Sequence, residues 1–374
     1  MKRFFPEAVL PRRLICLLLL LVFAGCGDDD DSNPVAVNED LREKLNLQPL
    51  PPVVYPPDNE PRQERISLGK LLFFDPILSG EKNVACGTCH HPNFAFADRR
   101  QFSAGVSGEG LGPDRVLTNP TISLEPRNSP TILNAAMNLD ESGLPTHEGF
   151  QFLDGRTRGL EEQASRPITS RVEMAGDGFG GATERAVIVD SVLARLREVP
   201  EYVERFRIAF PVEAAEVDSG DRASIVDSST YARAIACYER ELVTRNSAYD
   251  RYVSGDDNAL NATELHGLEL FFGKAKWGIC HAGPMFSDYR FIVQGVPQEG
   301  DGNDVLPGDD AGRDEHTLDD RDRYAFRTLT LRNVELTPPY MHDGVFETLE
   351  EVVRFYNVGS LPRHPAVTDE MLDP

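Results

Sequence analysis

The sequence predicts a mainly α-helical protein of two domains. Its 374 residues exceed what one hydrophobic core usually supports. Apolar residues recur at helical spacing in ISLGKLLFFDPILSG (66–80), and two amphipathic helices broken near Pro200 are expected over 182–210. No segment has the strong apolar–polar alternation of a half-buried strand. Helices are therefore expected to build both cores.

The N-terminus has the pattern of an export signal. Basic residues precede the apolar run 14–23, which is too short to cross a bilayer, so a signal peptide is predicted over 1–26. The signal ends in Phe-Ala-Gly-Cys, which resembles a bacterial lipoprotein cleavage site with lipidated Cys26; an ordinary signal with an incidental cysteine is the alternative. An acidic, Pro-rich linker is predicted over 27–58. The mature chain is expected in the periplasm or at the outer cell envelope, with a lipid anchor as its only membrane attachment.

The net charge limits the choice of partners. A formal charge of −23 argues against nucleic acid, since such a chain would not release counterions from phosphate. A basic protein is the easier partner.

One segment has the full haem-attachment pattern. In VACGTCHHP (84–92), Cys86, Cys89 and His90 form C-x-x-C-H. Cysteines at that spacing can bond the two haem vinyl groups while the histidine ligates the iron. The helix predicted over 66–80 leads into the motif. The alternative is a redox disulfide between Cys86 and Cys89.

A second segment, KAKWGICHAGPMFSD (274–288), has half of that pattern. Cys280 and His281 are present, but Trp277 replaces the first cysteine. Cys280 can still form one thioether and His281 can still ligate iron, although an indole must fit where a thiol would lie. A singly attached haem and an empty second site are both left open.

The last cysteine, Cys237, lies in TYARAIACYERELV (230–243). Its apolar spacing predicts a buried helix with a structural thiol, and Ser228 or Ser229 is expected to cap it.

Ten motifs in series resemble the bacterial di-haem cytochrome c peroxidases and their MauG-type relatives. The resemblance covers roughly 60–360. In chain order the motifs are LGKLLFFDPILSG, CGTCHHP, RNSPTILNAAMN, DGRTRGLEEQASRP, VEM, NSAYDRYVSG, GLELFFGKA, CHAGPMFSD, LRNVELTPPYMHDG and LEEVVRFYN. The family implies two cytochrome c-like domains, here 59–220 and 221–374, each with one haem c. Hydrogen peroxide would be reduced at the first haem, and electrons would enter through the second.

The resemblance also implies the residues on the distal side of the first haem. A Gln, a Pro four residues later and a Glu ten residues later match Gln163, Pro167 and Glu173. A carboxyl with a raised pKa can take a proton from peroxide and return it to the departing oxygen. The neighbouring Glu161 and Glu162 are interpreted as solvated helix charges.

Axial ligation is predicted to differ between the two haems. Some relatives carry a distal His in the loop that is here 101–126, which contains none, so an open first haem is expected; His91 and His147 are the remaining candidates. At the second haem the ligand position falls on Tyr356 in the helix predicted over 347–357, with Met341 as the rival. Phenolate ligation would lower the haem potential.

Three further features come from the resemblance. Asn128, Thr337 and Pro339 match positions that bind calcium between the haems. Leu153 replaces a Trp that relays electrons in much of the family, so slow exchange between the haems is expected. The chain also ends at Pro374, where relatives generally continue into one more helix, and the second domain is expected to be less completely packed. The Asp-rich 300–323 is predicted to be a solvated loop.

Three functions remain open from the sequence. The first is a peroxidase that receives electrons from a small c-type cytochrome. The second is a MauG-type enzyme that oxidises aromatic residues of an exported partner protein. The third is an electron carrier or sensor whose catalysis is impaired by Trp277 and Leu153. A homodimer is an open alternative to a monomer.

Overall fold

The computed structural model describes residues 40–217, 220–298 and 309–372. From Leu41 onward the chain forms one compact unit. The predicted signal peptide, Cys26 and the first part of the predicted linker lie outside the described residues. The division into domains near residue 220 stays a prediction. In the described part of the chain, no helix is both long enough and apolar enough to cross a membrane.

Helices dominate the described chain, as the sequence predicts. The α-helices are α1 (Leu41–Lys44), α2 (Gln63–Phe74), α3 (Cys86–Cys89), α4 (Gly159–Gln163), α5 (Arg185–Arg197), α6 (Pro200–Ala209), α7 (Pro211–Glu216), α8 (Ser228–Glu239), α9 (Ala248–Val253), α10 (Ala262–Phe272), α11 (Asp314–Thr317) and α12 (Leu349–Asn357). A short π-helix spans Arg171–Ala175, and 3-10 turns join several of these elements.

The strands are short and antiparallel. They form three pairs: β1 (Gly108–Glu109) with β2 (Val116–Leu117), β3 (Phe150–Gln151) with β4 (Thr157–Arg158), and β5 (Phe291–Val293) with β6 (Ala325–Arg327). In the last pair Ile292 lies opposite Phe326. These ribbons hold loops together, and none forms a layer of the core.

The main hydrophobic core lies where α2 crosses α8. Its largest members come from α2, α5, α6 and α8: Leu68, Leu72, Phe73, Val192, Leu196, Tyr202, Phe206, Tyr231 and Ile235. Gly69 is required at the crossing, because a Cβ there would lie 1.9 Å from the carbonyl oxygen of Ala234. The apolar spacing that predicted α2 therefore marks the face that builds the core. Smaller clusters, such as Leu47 with Tyr252 and Leu268, lie elsewhere.

The helix that carries Cys237 is buried as predicted, but it begins at a different cap. Cys237 and Ile235 are inaccessible to solvent. The side chain of Asp227, one residue before Ser228, accepts the Thr230 N–H at 2.8 Å and forms a capping box. An aspartate is an equally good cap, so the prediction of a serine cap was wrong by one or two positions.

Glu162 and residues 315–318 are exposed, as predicted, but two other acidic groups predicted to be solvated, Glu161 and Asp310, are not. Glu161 accepts two hydrogen bonds from the guanidinium of buried Arg240, at 2.5 and 2.8 Å. Within the Asp-rich 300–323, which the structure describes from residue 309, Asp310 is 4% exposed and accepts a bidentate pair from Arg127 at 2.6 and 2.7 Å. Arg127 also bonds buried Asp154, so one guanidinium ties three distant segments together. These pairs position the loops around the site, since breaking a buried pair leaves a charge without compensation.

Candidate haem-binding site

A cavity of about 1350 Å³ runs through the protein and contains both cysteine–histidine motifs. Its walls include Cys86, Cys89 and His90 from the first motif, and Cys280 and His281 from the second. The volume exceeds the roughly 300–1,000 Å³ of ordinary small-ligand pockets. The two motifs therefore share one internal space.

The first motif is a single helical turn pressed against the end of α2. Gly87 permits the contact, because a Cβ at this position would lie 2.4 Å from the ring of Phe74. Cys86 and Cys89, the two ends of α3, are free thiols in this structure. Burial raises the pKa of Cys86 to about 12, so its thiol is protonated at neutral pH. Both thiols suit thioether attachment within an apolar wall.

A backbone carbonyl fixes the tautomer of His90. Nδ1 of His90 lies 3.1 Å from the carbonyl oxygen of Phe96. A carbonyl can only accept a hydrogen bond, so Nδ1 carries the proton and Nε2 keeps its lone pair. Burial lowers the pKa of His90, which also favours the neutral ring. Metal-ligating histidines are commonly held in this way, and the residues at the first motif fit haem c.

Glu173, Gln163 and Pro167 all line the cavity. Gln163 ends α4, Pro167 begins a 3-10 turn, and Glu173 lies in the π-helix, an element frequent at functional sites. The hydroxyl of Ser170 accepts the Glu173 N–H at 3.4 Å. Burial raises the pKa of the Glu173 carboxyl, and the positive charge of Arg156 opposes the shift. The structure thus brings together the three residues that the sequence assigned to the distal side.

A second glutamate, which the sequence analysis missed, lines the same cavity. Glu125 presents an Oε1 atom that is buried and has no hydrogen-bond partner among the described residues. Burial and the charge of Glu173 both raise the pKa of Glu125. The sequence pointed to 101–126 only for its lack of histidine. The one signal for Glu125 was its place two residues before the RNSPT motif begins at Arg127.

The second motif repeats the local geometry of the first. Gly278 approaches the end of α10 as Gly87 approaches the end of α2, and a Cβ on Gly278 would lie 2.4 Å from the ring of Phe272. Nδ1 of His281 lies 2.8 Å from the carbonyl oxygen of Phe286, which leaves Nε2 as the available nitrogen. Phe286 adopts the left-handed conformation, φ 50°, as does Phe96, φ 57°. These three features are retained despite the missing cysteine, although the second motif is a 3-10 turn where the first is an α-helical turn.

The indole of Trp277 packs against the two residues predicted to ligate iron at the second motif. Its ring centroid lies 5.9 Å from that of His281 and 4.9 Å from that of Tyr356. Tyr356 is on α12, and burial raises the pKa of its phenol to about 12. Cys280, His281 and Tyr356 line one wall, which fits a haem held by one thioether. Such a haem requires the indole to leave its position between the rings.

The other predicted ligands are less well defined by the geometry. Asn128, Thr337 and Pro339 line the cavity, and the Asn128 side-chain nitrogen donates to the carbonyl of Arg100 at 2.6 Å, which leaves its amide oxygen available. Within the described ranges no group of three or more His, Cys, Asp or Glu side chains could hold a metal ion. The calcium site stays a prediction. Met341 also lines the cavity and remains the rival to Tyr356.

The alternative ligands for the first haem lie elsewhere. His91 and His147 are not among the described residues that line the cavity. The ring of His91 instead accepts the N–H of Asn93 at 3.2 Å. Leu153, in the position of the family's relay tryptophan, is 8% exposed and does line the cavity.

Comparisons with known proteins find similar proteins over most of the chain. The family model for di-haem cytochrome c peroxidase matches residues 63–258. The cytochrome-c peroxidase IdrP1 of Pseudomonas sp. strain SCT is 34% identical over 370 residues, covering 92% of this chain and 83% of its own. The methylamine utilization protein MauG of Methylorubrum extorquens is 31% identical and covers 98% of this chain and 90% of its own. A crystal structure of a MauG-like protein associated with microbial copper homeostasis superposes with a TM-score of 0.65, at 29% identity, over 83% of this chain and 81% of that one.

Proposed function

This chain belongs to the di-haem cytochrome c peroxidase family and is a peroxidase-like oxidoreductase, and we propose that it reduces hydrogen peroxide at the first motif. In this proposal Cys86, Cys89 and His90 hold the peroxidatic haem c, and electrons arrive through a second haem at Cys280 and His281. The observation that carries the proposal is the shared cavity, which joins both motifs to Glu173.

The haem at His90 would supply the redox chemistry that cleaves the O–O bond. The chain's own residues contribute the proton transfers. Glu173, with a raised pKa in a buried setting, is able to accept a proton from one peroxide oxygen and return it to the other. Gln163 offers an amide that can orient peroxide by hydrogen bonding, and Pro167 sets the turn between the two polar side chains. The reduction of one hydrogen peroxide molecule to two water molecules consumes two electrons and two protons in total.

We place the protein outside the cytoplasm, as its N-terminal sequence predicts, and a small c-type cytochrome is the proposed electron donor. The formal charge of −23 favours a donor with a basic docking face. Calcium bound near Asn128, Thr337 and Pro339 would fix the loops between the motifs.

A MauG-type activity is the second candidate, and the position of Tyr356 favours it. The Tyr356 side chain faces the same cavity as His281, where a phenolate ligand would favour a low potential. In this alternative the oxidising equivalents would pass to aromatic side chains of an exported partner protein.

Haem stoichiometry and turnover test the proposal. The holoprotein, produced with the cytochrome c attachment machinery, should give two haems per chain by pyridine haemochrome absorbance and intact mass. It should also consume peroxide with reduced cytochrome c as donor. Glu173→Gln should lower the rate constant for the peroxide reaction by roughly 100-fold, the lower end of general acid–base contributions. A single haem would rule out electron delivery through the second site, and an unchanged rate constant in Glu173→Gln would remove Glu173 from the mechanism.

A further inference from the structure

Glu125 and Glu173 are attached to the same short segment of chain, residues 103–106. The N–H of Glu125 donates to the carbonyl of Ser103 at 2.8 Å, and the N–H of Val106 donates to the carbonyl of Glu173 at 2.9 Å. Gly105 makes the approach possible, because a Cβ there would lie 2.2 Å from the Glu173 carbonyl oxygen. The two glutamates are therefore held by backbone contacts that do not depend on haem.

Both side chains turn from this segment into the cavity that contains His90. The Oε1 atom of Glu125 is buried there without a hydrogen-bond partner among the described residues. A buried carboxylate oxygen without a donor is costly, and protonation of one member of a carboxyl pair provides the missing donor.

The charged neighbours do not neutralise the pair. Arg156 faces both carboxyls and Arg127 faces Glu125, and each lowers the carboxyl pKa, but burial of both carboxyls and the charge of Glu173 on Glu125 outweigh them. Arg127 is engaged by Asp154 and by Asp310. The Cys89 thiol also faces both glutamates, and it would not titrate once it forms a thioether.

We propose that Glu125 and Glu173 share one proton and act as a carboxyl–carboxylate pair, in which Glu125 is a positioning residue that keeps Glu173 poised for proton transfer. This inference rests on the proposed peroxidase function. In peroxide reduction Glu173 takes a proton from one peroxide oxygen and gives it to the other as the O–O bond breaks, which releases one water molecule. The remaining oxygen becomes a second water molecule with two electrons from the reduced cytochrome donor and two protons from solvent, and the pair holds one proton before and after.

The shared proton has a signature that does not depend on turnover. A carboxyl whose pKa is raised by folding gives stability that is fully present below its ordinary pKa and is lost as the pH rises through the raised value. The melting temperature of the wild-type holoprotein should therefore fall as the pH rises above the ordinary glutamate value of 4.5. Glu125→Gln should reduce that fall. Glu125→Gln/Glu173→Gln should add little to the effect of either single change, because each removes the same repulsion.

The experiment measures melting by circular dichroism and the rate constant for the peroxide reaction by stopped flow, both against pH, in the holoprotein. Glu109→Gln is the matched control, since Glu109 is exposed on the same loop, in β1. We expect Glu125→Gln to move the apparent pKa of the rate profile down by at least about one unit, as for strongly interacting sites. Additive melting changes or an unmoved rate profile in Glu125→Gln would overturn the shared proton, even if Glu173→Gln impairs the reaction. If Glu173→Gln leaves the reaction unchanged, the proposed function fails. The melting data alone then test whether Glu125 and Glu173 share a proton.

Discussion

Glu239, the last residue of α8, should make the stability of this protein depend steeply on pH. Its side chain is 5% exposed and lines the cavity near the first motif. Burial, followed by the nearby charge of Glu161, raises its pKa to about 8, and the positive charge of Arg240 opposes the shift. Arg240 does not cancel the shift, because its guanidinium is already bonded to Glu161.

The magnitude follows from the distance between this pKa and the ordinary value of 4.5. Each pKa unit corresponds to about 1.4 kcal/mol. Because the folded-state pKa is the higher one, stability is fully present below about pH 4.5 and is lost as the pH rises through about 8. The total loss is at most about 5 kcal/mol, of which about 2 kcal/mol falls between pH 6 and pH 8. A neutral isostere at this position should abolish that loss.

The assay is chemical denaturation of the holoprotein, followed by far-ultraviolet circular dichroism, at several values from about pH 6 to pH 9. Relative to the wild type, the free energy of unfolding of Glu239→Gln should rise by about 2 kcal/mol between pH 6 and pH 8, and this difference should then level off. Glu198→Gln, at the exposed end of α5, is the control and should follow the wild-type curve. Parallel curves for Glu239→Gln and the wild type would refute the assignment of a protonated, buried carboxyl.

Three further predictions concern packing, pairing and haem attachment. Leu72→Ala should lower the free energy of unfolding by about 2–5 kcal/mol, because Leu72 is inaccessible to solvent in the core. Leu71→Ala is the control and should cost much less, because Leu71 is 37% exposed. Equal losses of unfolding free energy in urea denaturation would contradict the placement of α2. Arg240→Ala should cost about 3–5 kcal/mol, since Glu161 would keep a partly buried charge, and Arg240→Met combined with Glu161→Gln should recover most of the loss. Trp277→Cys should add one thioether at the second motif and remove the indole from His281 and Tyr356; the haemochrome band would report the added thioether, and intact mass would report the number of attached haems. An unchanged mass of attached haem and an unchanged band would count against steric interference by the indole.

The sequence predicted those parts of the fold that depend on local pattern. Helices α2, α5 and α6 were expected from apolar spacing and breakers, and they lie where expected because their apolar faces build the main core. The capping residue of α8 was misplaced because Asp227 and Ser228 are both good caps, and only the backbone decides between them.

Long-range ion pairs could not be predicted in the same way. Glu161 and Asp310 have the local context of solvated acids, and their partners Arg240 and Arg127 lie 79 and 183 residues away in sequence. Glu125 was missed for a related reason, because its role depends on a cavity whose other walls come from distant elements. The family motif supplied Glu173 through the spacing from Gln163, and no comparable spacing marked Glu125.

The two motifs show which parts of a haem-attachment site depend on the thiol and which do not. The close glycine, the histidine fixed by a carbonyl and the left-handed phenylalanine that provides this carbonyl occur in both, although Trp277 replaces a cysteine in the second. The local fold is therefore specified by the glycine and the turn, and each motif should keep its shape without the first thioether. The cysteine adds the covalent bond, and its replacement adds an indole between His281 and Tyr356. Loss of a second haem in this chain would therefore result from the indole's volume and the missing bond, acting on a backbone that is already shaped to receive the cofactor.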